Sequence, residues 1–453
     1  MLTDHKKSFS NRKFLILIIA LIVSVLIDTS VVKINDLIDK YFIPLQSKLI
    51  LFAVNSSLCL LLQFLIIKYL QSSIKRDQLN KTLKGQSFYK IALISLCVLA
   101  ILIGILIFQQ FHYNYYYTSL SILIIIISYG TGAGFITWLS LLFFSWYKSN
   151  HNLIVFLYFI STLMIAFNLI TTGVYTGVKV SERPKLTGEY VGGSGDISFG
   201  KHLFLGNVYR IFSFISFFSI WITTAILMIN YREKPSNAII YWIILSIPFV
   251  YFLITYFYQY VLGNILTSYL EIDPITVSII LIAFLALSKP IGGLVFGIAF
   301  WKISRIMSYE RNIKTYMIIS GFGIFLIFAA NQAATQIVSP YPSFGLSSIT
   351  VLNIATFLML LGIYNSATLV SANNNLRKFI HNHALEPRLL DIIGKAEMEK
   401  EIQKTVKKIT QRKGSLEGEL NVPLTFDEKA LIKYINSVIK ETKKEGKDKV
   451  NND

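Results

Sequence analysis

The sequence predicts an all-α fold, a polytopic membrane bundle of about ten helices with both termini cytoplasmic and a short helical tail, on three observations. Of its 453 residues, 54% are hydrophobic and only 15% are charged, where a soluble domain carries about 25% charged residues. The apolar residues gather in blocks of about 18 or more, the length a helix needs to cross ~30 Å of hydrocarbon. The segments between these blocks alternate between rich and poor in Lys and Arg. Backbone facing lipid must satisfy its hydrogen bonds internally, so repeated apolar blocks mean helices.

The first block, 14–32, follows Lys6, Lys7, Arg12 and Lys13. A basic start before an apolar run also suits a secretory signal. Ile27, however, is followed by Asp28-Thr29-Ser30 rather than a small-x-small cleavage pattern, so the span reads as retained. Blocks 49–67 and 91–109 hold the two cysteines, Cys59 and Cys97. Two cysteines inside apolar blocks make neither a disulfide framework nor a metal-ligand set, and both read as packing residues. Then come 119–147, 153–173, 204–229, 239–262, 275–301, 315–332 and 347–371.

The connecting segments give the orientation. Segments 1–13, 68–90, 148–152, 230–238 and 302–314 all carry Lys or Arg, whereas 110–118, 263–274 and 333–346 carry none. The remaining outer segments, 28–48 and 174–203, carry three and four. Basic residues are retained on the cytoplasmic side, which puts both ends inside. The same rule accounts for the net charge of +18 without a nucleic-acid partner. Tyr-rich stretches, FHYNYYYTS at 111–119 and YFYQY at 256–260, fall at outer ends, where a phenol ring suits the interface. The remaining outer segment, 174–203, is rich in Gly, Ser and Pro and reads as a flexible or hairpin-like excursion, long enough for a lid and too short for a domain.

From residue 372 the composition changes to a cytosolic tail with 17 Lys+Arg and 13 Asp+Glu. Met398, Ile402, Val406 and Ile409 recur at helical spacing. A break is expected at KGSLEGEL, followed by a second amphipathic helix opened by the capping box Thr425-x-x-Glu428. The end, EGKDKVNND, has the composition of a disordered segment. The tail's lysines could meet anionic lipid, though interspersed glutamates favour a solvated face. It could equally carry a cytosolic partner. His381 and His383 form a lone H-x-H with no further ligand near in sequence, so no metal is expected, and nothing calls for a cofactor.

Inside the membrane no carboxylate falls in the middle of a block; Asp28, Glu271 and Asp273 sit at outer ends. Proton- and sodium-coupled carriers commonly use buried Asp or Glu, so such coupling is not expected. Arg210 lies near enough to a helix end to snorkel. Lys289 does not, and a charged lysine near a helix centre costs ~2.5–3.5 kcal/mol on insertion scales. Three arrangements would lower that cost. The amine could be neutral. It could bond carbonyls freed by Pro290, which removes an N–H. Or it could line an aqueous cavity and meet an anion. Gly293 and Gly297 form one G-x-x-x-G, Gly130 and Gly134 another, and both motifs permit close helix approach. Asn331 and Gln332 end the ninth block. Lys289, Pro290, Asn331 and Gln332 are therefore the candidate cavity or solute-binding residues, expected where helices 4, 8 and 9 meet.

The runs KPIGGLVFGIAFWKISR, MIISGFGIFLIFAANQA, PYPSFG, LGIYNSATLVSA and LLDIIGKAEMEKEI resemble a family of uncharacterised multi-pass membrane proteins of ammonia-oxidising archaea, over about residues 205–412. The resemblance implies an archaeal plasma membrane and carries no substrate. No catalytic constellation appears: HExxH, paired buried carboxylates and a nucleophile–base grouping are all missing. The leading expectation is a carrier or channel-like protein for a small polar or anionic solute. The alternative is a membrane sensor or scaffold that signals through the tail.

Overall fold

The computed structural model describes residues 11–38, 44–76, 83–181, 185–187, 203–228, 235–257, 274–307, 310–334, 341–382 and 388–420. They are almost entirely helical. In chain order the elements are α1 (Asn11–Ile38), α2 (Leu45–Arg76), α3 (Leu83–Tyr113), β1 (Tyr115–Tyr117), α4 (Thr118–Asn150), α5 (Leu153–Ser181), β2 (Lys185–Thr187) and α6 (Leu203–Leu227). After these come α7 (Pro235–Phe257), α8 (Pro274–Ile306), α9 (Arg311–Ala334), α10 (Leu346–Ala372), α11 (Asn374–Asn382) and α12 (Arg388–Leu420). Among the described residues seven helices, α2 to α6, α9 and α10, are long and apolar enough to cross a membrane.

The bundle is built around α10. Leu346 through Ile363 are buried without interruption, although the segment includes Ser347, Ser348, Thr350, Asn353 and Thr356. A fully enclosed helix can hold hydroxyls where they bond back to their own turn or across to a neighbour. Thr356 Oγ1 donates to the Leu352 carbonyl at 2.7 Å, and Ser366 Oγ to Gly362 at 2.8 Å. The outer helices differ: Ile16 on α1, Val54 on α2, Ile94 and Ile101 on α3 and Ile126 on α4 are all exposed. Apolar rows of this kind mark surface meant for lipid.

Glycines set how closely α8, α9 and α10 approach. A Cβ on Gly297 of α8 would stand 2.7 Å from the Gly321 carbonyl of α9, and one on Gly293 2.9 Å from Phe328 Cβ. On the other side of α9, a Cβ on Gly323 would stand 2.6 Å from the Met359 amide of α10. Small residues are what allow backbones so near. The expected partner motif on α4 fails. Gly130 and Gly134 face open space, with nothing within 4 Å of a built Cβ, whereas the intervening Gly132 turns toward Thr356 at 3.6 Å. G-x-x-x-G spacing gives a shared stripe, but neighbours decide whether that stripe is covered.

Four further expectations are corrected. Residues 174–181 belong to α5, so the excursion after that helix begins at 182, and β2 within it pairs antiparallel with β1, Tyr116 opposite Leu186. KGSLEGEL continues α12 rather than breaking it. On α12 the buried face is Leu389, Leu390, Ile393 and Ala396, with Met398 and Ile402 only half-buried; Val406 and Ile409, the capping box and the chain end lie outside the described side chains. Cys97 is exposed on α3, and only Cys59 packs inside.

The amphipathic helix α12 does not float free. It packs against α4, α5 and α10. Trp146 Nε1, fully buried near the end of α4, donates to Glu397 Oε2 at 2.6 Å. Gly394 permits this docking, since a Cβ there would run into Val370 of α10.

Candidate functional site

Lys289 stands near the middle of α8, one residue before Pro290. Only 6% of it is exposed. Nζ donates to the Tyr209 hydroxyl of α6 at 2.8 Å and lies 5.1 Å from the centre of that ring. The phenol thus meets the ammonium twice, through an oxygen lone pair and through its negative π face. Among the described residues Tyr209 is its one polar partner.

The contact extends into a column. The Tyr209 ring stacks on Tyr175 of α5, with centroids 5.3 Å apart and planes within 4°. Lys179, one turn further along α5, places Nζ 4.6 Å from the Tyr175 ring centre. The order is therefore cation, ring, ring, cation, running from near the end of α5 to mid-α8. Tyr129 of α4 neighbours Tyr209 and donates to Asn331 Oδ1 of α9 at 3.2 Å. A Cβ on Gly173 would stand 2.9 Å from Tyr129 Cβ, so that glycine lets the tyrosine lie flat on α5.

Of the residues singled out from sequence, Lys289, Pro290, Asn331 and Gln332 are all buried. Asn331 is joined to α4 by its bond from Tyr129. Two elements were missed. Tyr209 and Tyr175 bring α6 and α5 into the site, and neither carries a local motif. Their only signal was position, Tyr209 one turn inside its apolar block and Tyr175 just past the end of another, where tyrosine otherwise reads as an interfacial residue. Arg210, next to Tyr209, points outward and is exposed.

A second polar cluster was placed wrongly by the sequence reading. Asp28 is not at a helix end. It lies well inside α1, which continues to Ile38, and is 1% exposed. Apolarity fades after Ile27 while the helix persists, so an apolar block ends before its helix does. Asp28 Oδ2 accepts from the Ser348 amide at 2.8 Å and from Ser348 Oγ at 2.7 Å. This is a cap supplied from another helix. Gly345, at φ 88°, holds the N-cap position of α10 and has no side chain to offer, so an orphan N–H of the first turn finds its acceptor on α1. The helix macrodipole favours a negative group there.

Around Asp28 the seam continues. Ser24 Oγ donates to Asn55 Oδ1 at 2.9 Å, and Asn55 Nδ2 returns a bond to the Ser24 carbonyl at 3.2 Å. Gln63 of α2 donates to Thr350 Oγ1 at 2.9 Å, and Asn353 to Ser95 Oγ of α3 at 2.7 Å. The turn before α10 is tied in as well, with Gln110 Nε2 donating to Ser343 Oγ at 2.8 Å and the Tyr341 hydroxyl to the Gln110 carbonyl at 2.8 Å. Burial pushes the Tyr341 phenol up to about 12, so it stays a donor at neutral pH. Glu271 and Asp273 lie outside the described residues, as does His383. Among the described residues no group of three or more His, Cys, Asp or Glu gathers to hold a metal ion. No protein family, no curated protein and no solved structure matches the chain.

Proposed function

We propose that the protein is a carrier or channel-like membrane protein for a small anionic or polar solute, with Lys289 as the residue that meets it. One observation carries this reading: a lysine in mid-helix, 6% exposed, whose polar contact among the described residues is a neutral phenol. An intramembrane cation without a carboxylate is costly to keep and marks a pathway more often than a packing need. The column of Lys179, Tyr175, Tyr209 and Lys289 suits stepwise handling of an anion, which would leave one ammonium for the next across two ring edges. Asn331, held by Tyr129, adds an amide that can donate to the same solute. The surroundings belong to the proposal too: ten spans, both termini cytoplasmic, an archaeal plasma membrane. The Lys and Arg distribution supports the orientation. So does the pairing of β1 with β2, because segments 110–118 and 174–203 must then lie on one side.

The test is uptake into proteoliposomes across a panel of chloride, nitrate, phosphate, sulfate and acetate, wild type against Lys289→Met. The expected result is at least tenfold slower uptake of one of these anions, in a variant that elutes and melts like wild type. Equal uptake of every anion by both proteins would sink the reading. Single cysteines introduced at 117, which is exposed, and 75 test the orientation, since only the first should react with an impermeant thiol reagent added outside.

A sensor or scaffold is the second reading, favoured by the docking of α12 through Trp146 and Glu397. It predicts that a bound solute changes Trp146 fluorescence and that the tail holds a cytosolic protein. A tail that recovers no specific partner, beside an unresponsive Trp146, would count against it.

A further inference from the structure

We infer that Asp28 is a proton-binding site in the membrane, taking up and releasing a proton at Oδ1. This inference stands on its own geometry and does not depend on the role of Lys289. The two carboxylate oxygens are unequal. Oδ2 accepts two hydrogen bonds from Ser348, whereas Oδ1 is fully buried and has no partner. A bare carboxylate oxygen in a low-dielectric interior carries the full cost of lost hydration. A proton removes that cost, provided the new O–H finds an acceptor.

An acceptor is at hand. Ser347 Oγ, on the first turn of α10, is fully buried, lies within hydrogen-bonding reach of the Asp28 carboxyl and makes no well-formed hydrogen bond. A third such atom, Ser56 Oγ, lies on the face of α2 that carries Cys59 and Gln63 toward α10. Unpartnered buried hydroxyls are uncommon in folded proteins, and here one of them borders a carboxylate oxygen that also lacks a well-formed bond.

The surroundings oppose one another, which is what an exchanging site requires. The N-terminus of α10 favours the ionised form, and burial favours the neutral one. No basic side chain among the described residues is paired with Asp28 to decide the matter. From α2 the titratable neighbour is Cys59. Lys48 stands near the start of that helix. From α10 come only hydroxyls. On α8 and α9, which also touch α1, Lys302, Arg305, Arg311 and Lys314 sit at the turn joining the two helices, and Lys289 is held by Tyr209. The step is Asp28–COOH exchanging with Asp28–COO⁻ plus H⁺, the O–H bond to Oδ1 breaking and the proton passing to water.

Infrared difference spectroscopy on the full chain in liposomes reads this directly. Asp28→Asn is the reference, because its amide oxygen still accepts from Ser348 while its NH₂ can donate to Ser347. The expected result is a protonated-carboxyl C=O band in the wild type, absent in Asp28→Asn, that fades as pH is raised and returns as it is lowered. Lys289→Met should keep the band, which separates a failure here from a failure of the anion reading. Absence of the band at every pH at which the protein stays folded would overturn the proposal, leaving Asp28 a permanently ionised cap. So would a band that no pH in that range removes. Loss of the band on adding Na⁺ at constant pH, with no response to pH itself, would replace the proton by a sodium ion.

Discussion

Lys289 and Asp28 are both buried and ionisable, and both lie inside helices that pack on α9, yet they are held in opposite ways. Lys289 is met by one residue, the phenol of Tyr209, a contact that neither fixes a backbone nor terminates a helix. Asp28 is met by an amide and a hydroxyl of the first turn of α10, the most enclosed helix of the bundle. The first arrangement leaves a charge available and the second uses one to hold the fold together. A buried ionisable group is thus not one kind of thing. What it bonds to determines whether its removal should cost stability or activity.

That contrast can be broken most directly at Asp28. Asp28→Leu strands the Ser348 amide and hydroxyl inside the bundle, and is expected to lower stability by about 3 kcal/mol, while Asp28→Asn, which keeps the acceptor, stays within about 1 kcal/mol of wild type. Thermal unfolding followed by tryptophan fluorescence in detergent would show it. Equal melting of the Leu variant and wild type would mean that α10 needs no acceptor from α1.

Lys289→Met should behave in the reverse sense. Replacing an isolated buried cation by an apolar side chain of similar length is often neutral or stabilising, so the melting free energy should move by no more than about 1 kcal/mol. Uptake, by contrast, should fall at least tenfold, equivalent to about 1.4 kcal/mol in the barrier. A variant that unfolds instead would place Lys289 with Asp28 as a structural residue.

Smaller effects sharpen the comparison. Tyr209→Phe keeps the ring stack on Tyr175 and removes only the oxygen that accepts from Lys289, so a loss of about 1 kcal/mol is expected, with slower uptake than wild type and faster than Lys289→Met. Ser348→Ala leaves the amide-to-Asp28 bond intact and removes one donor of two. It should cost about 0.5–1 kcal/mol, measured by the same melting experiment, and leave uptake unchanged.

Much of the helical bundle was legible in the residues, and the two sites were legible unequally. Lys289 announces itself because a charge flanked by apolar residues on both sides is visible in one dimension. Asp28 does not, because Val25 to Ile27 precede it and polar residues follow. It reads as a block edge until the helix is seen to continue. Tyr209 and Tyr175 were hidden for another reason. Tyrosine is common near membrane interfaces, and only the juxtaposition of α5 and α6 makes these two rings a stack. The glycines show the same limit, since Gly297 and Gly130 sit in identical motifs and only Gly297 has a helix against it.

By itself the sequence determined that this is a helical membrane protein, roughly where its helices run, and that Lys289 lies where a charge is hardest to accommodate. Those properties follow from composition and spacing along one chain, because the bilayer imposes its length and its demand for internal hydrogen bonds on every segment separately. The tertiary structure alone decided which faces are covered, that Asp28 of α1 caps α10 across some three hundred residues of chain, and that Lys289 meets Tyr209. Those are pairings between distant segments, and what a buried polar atom does depends on its partner.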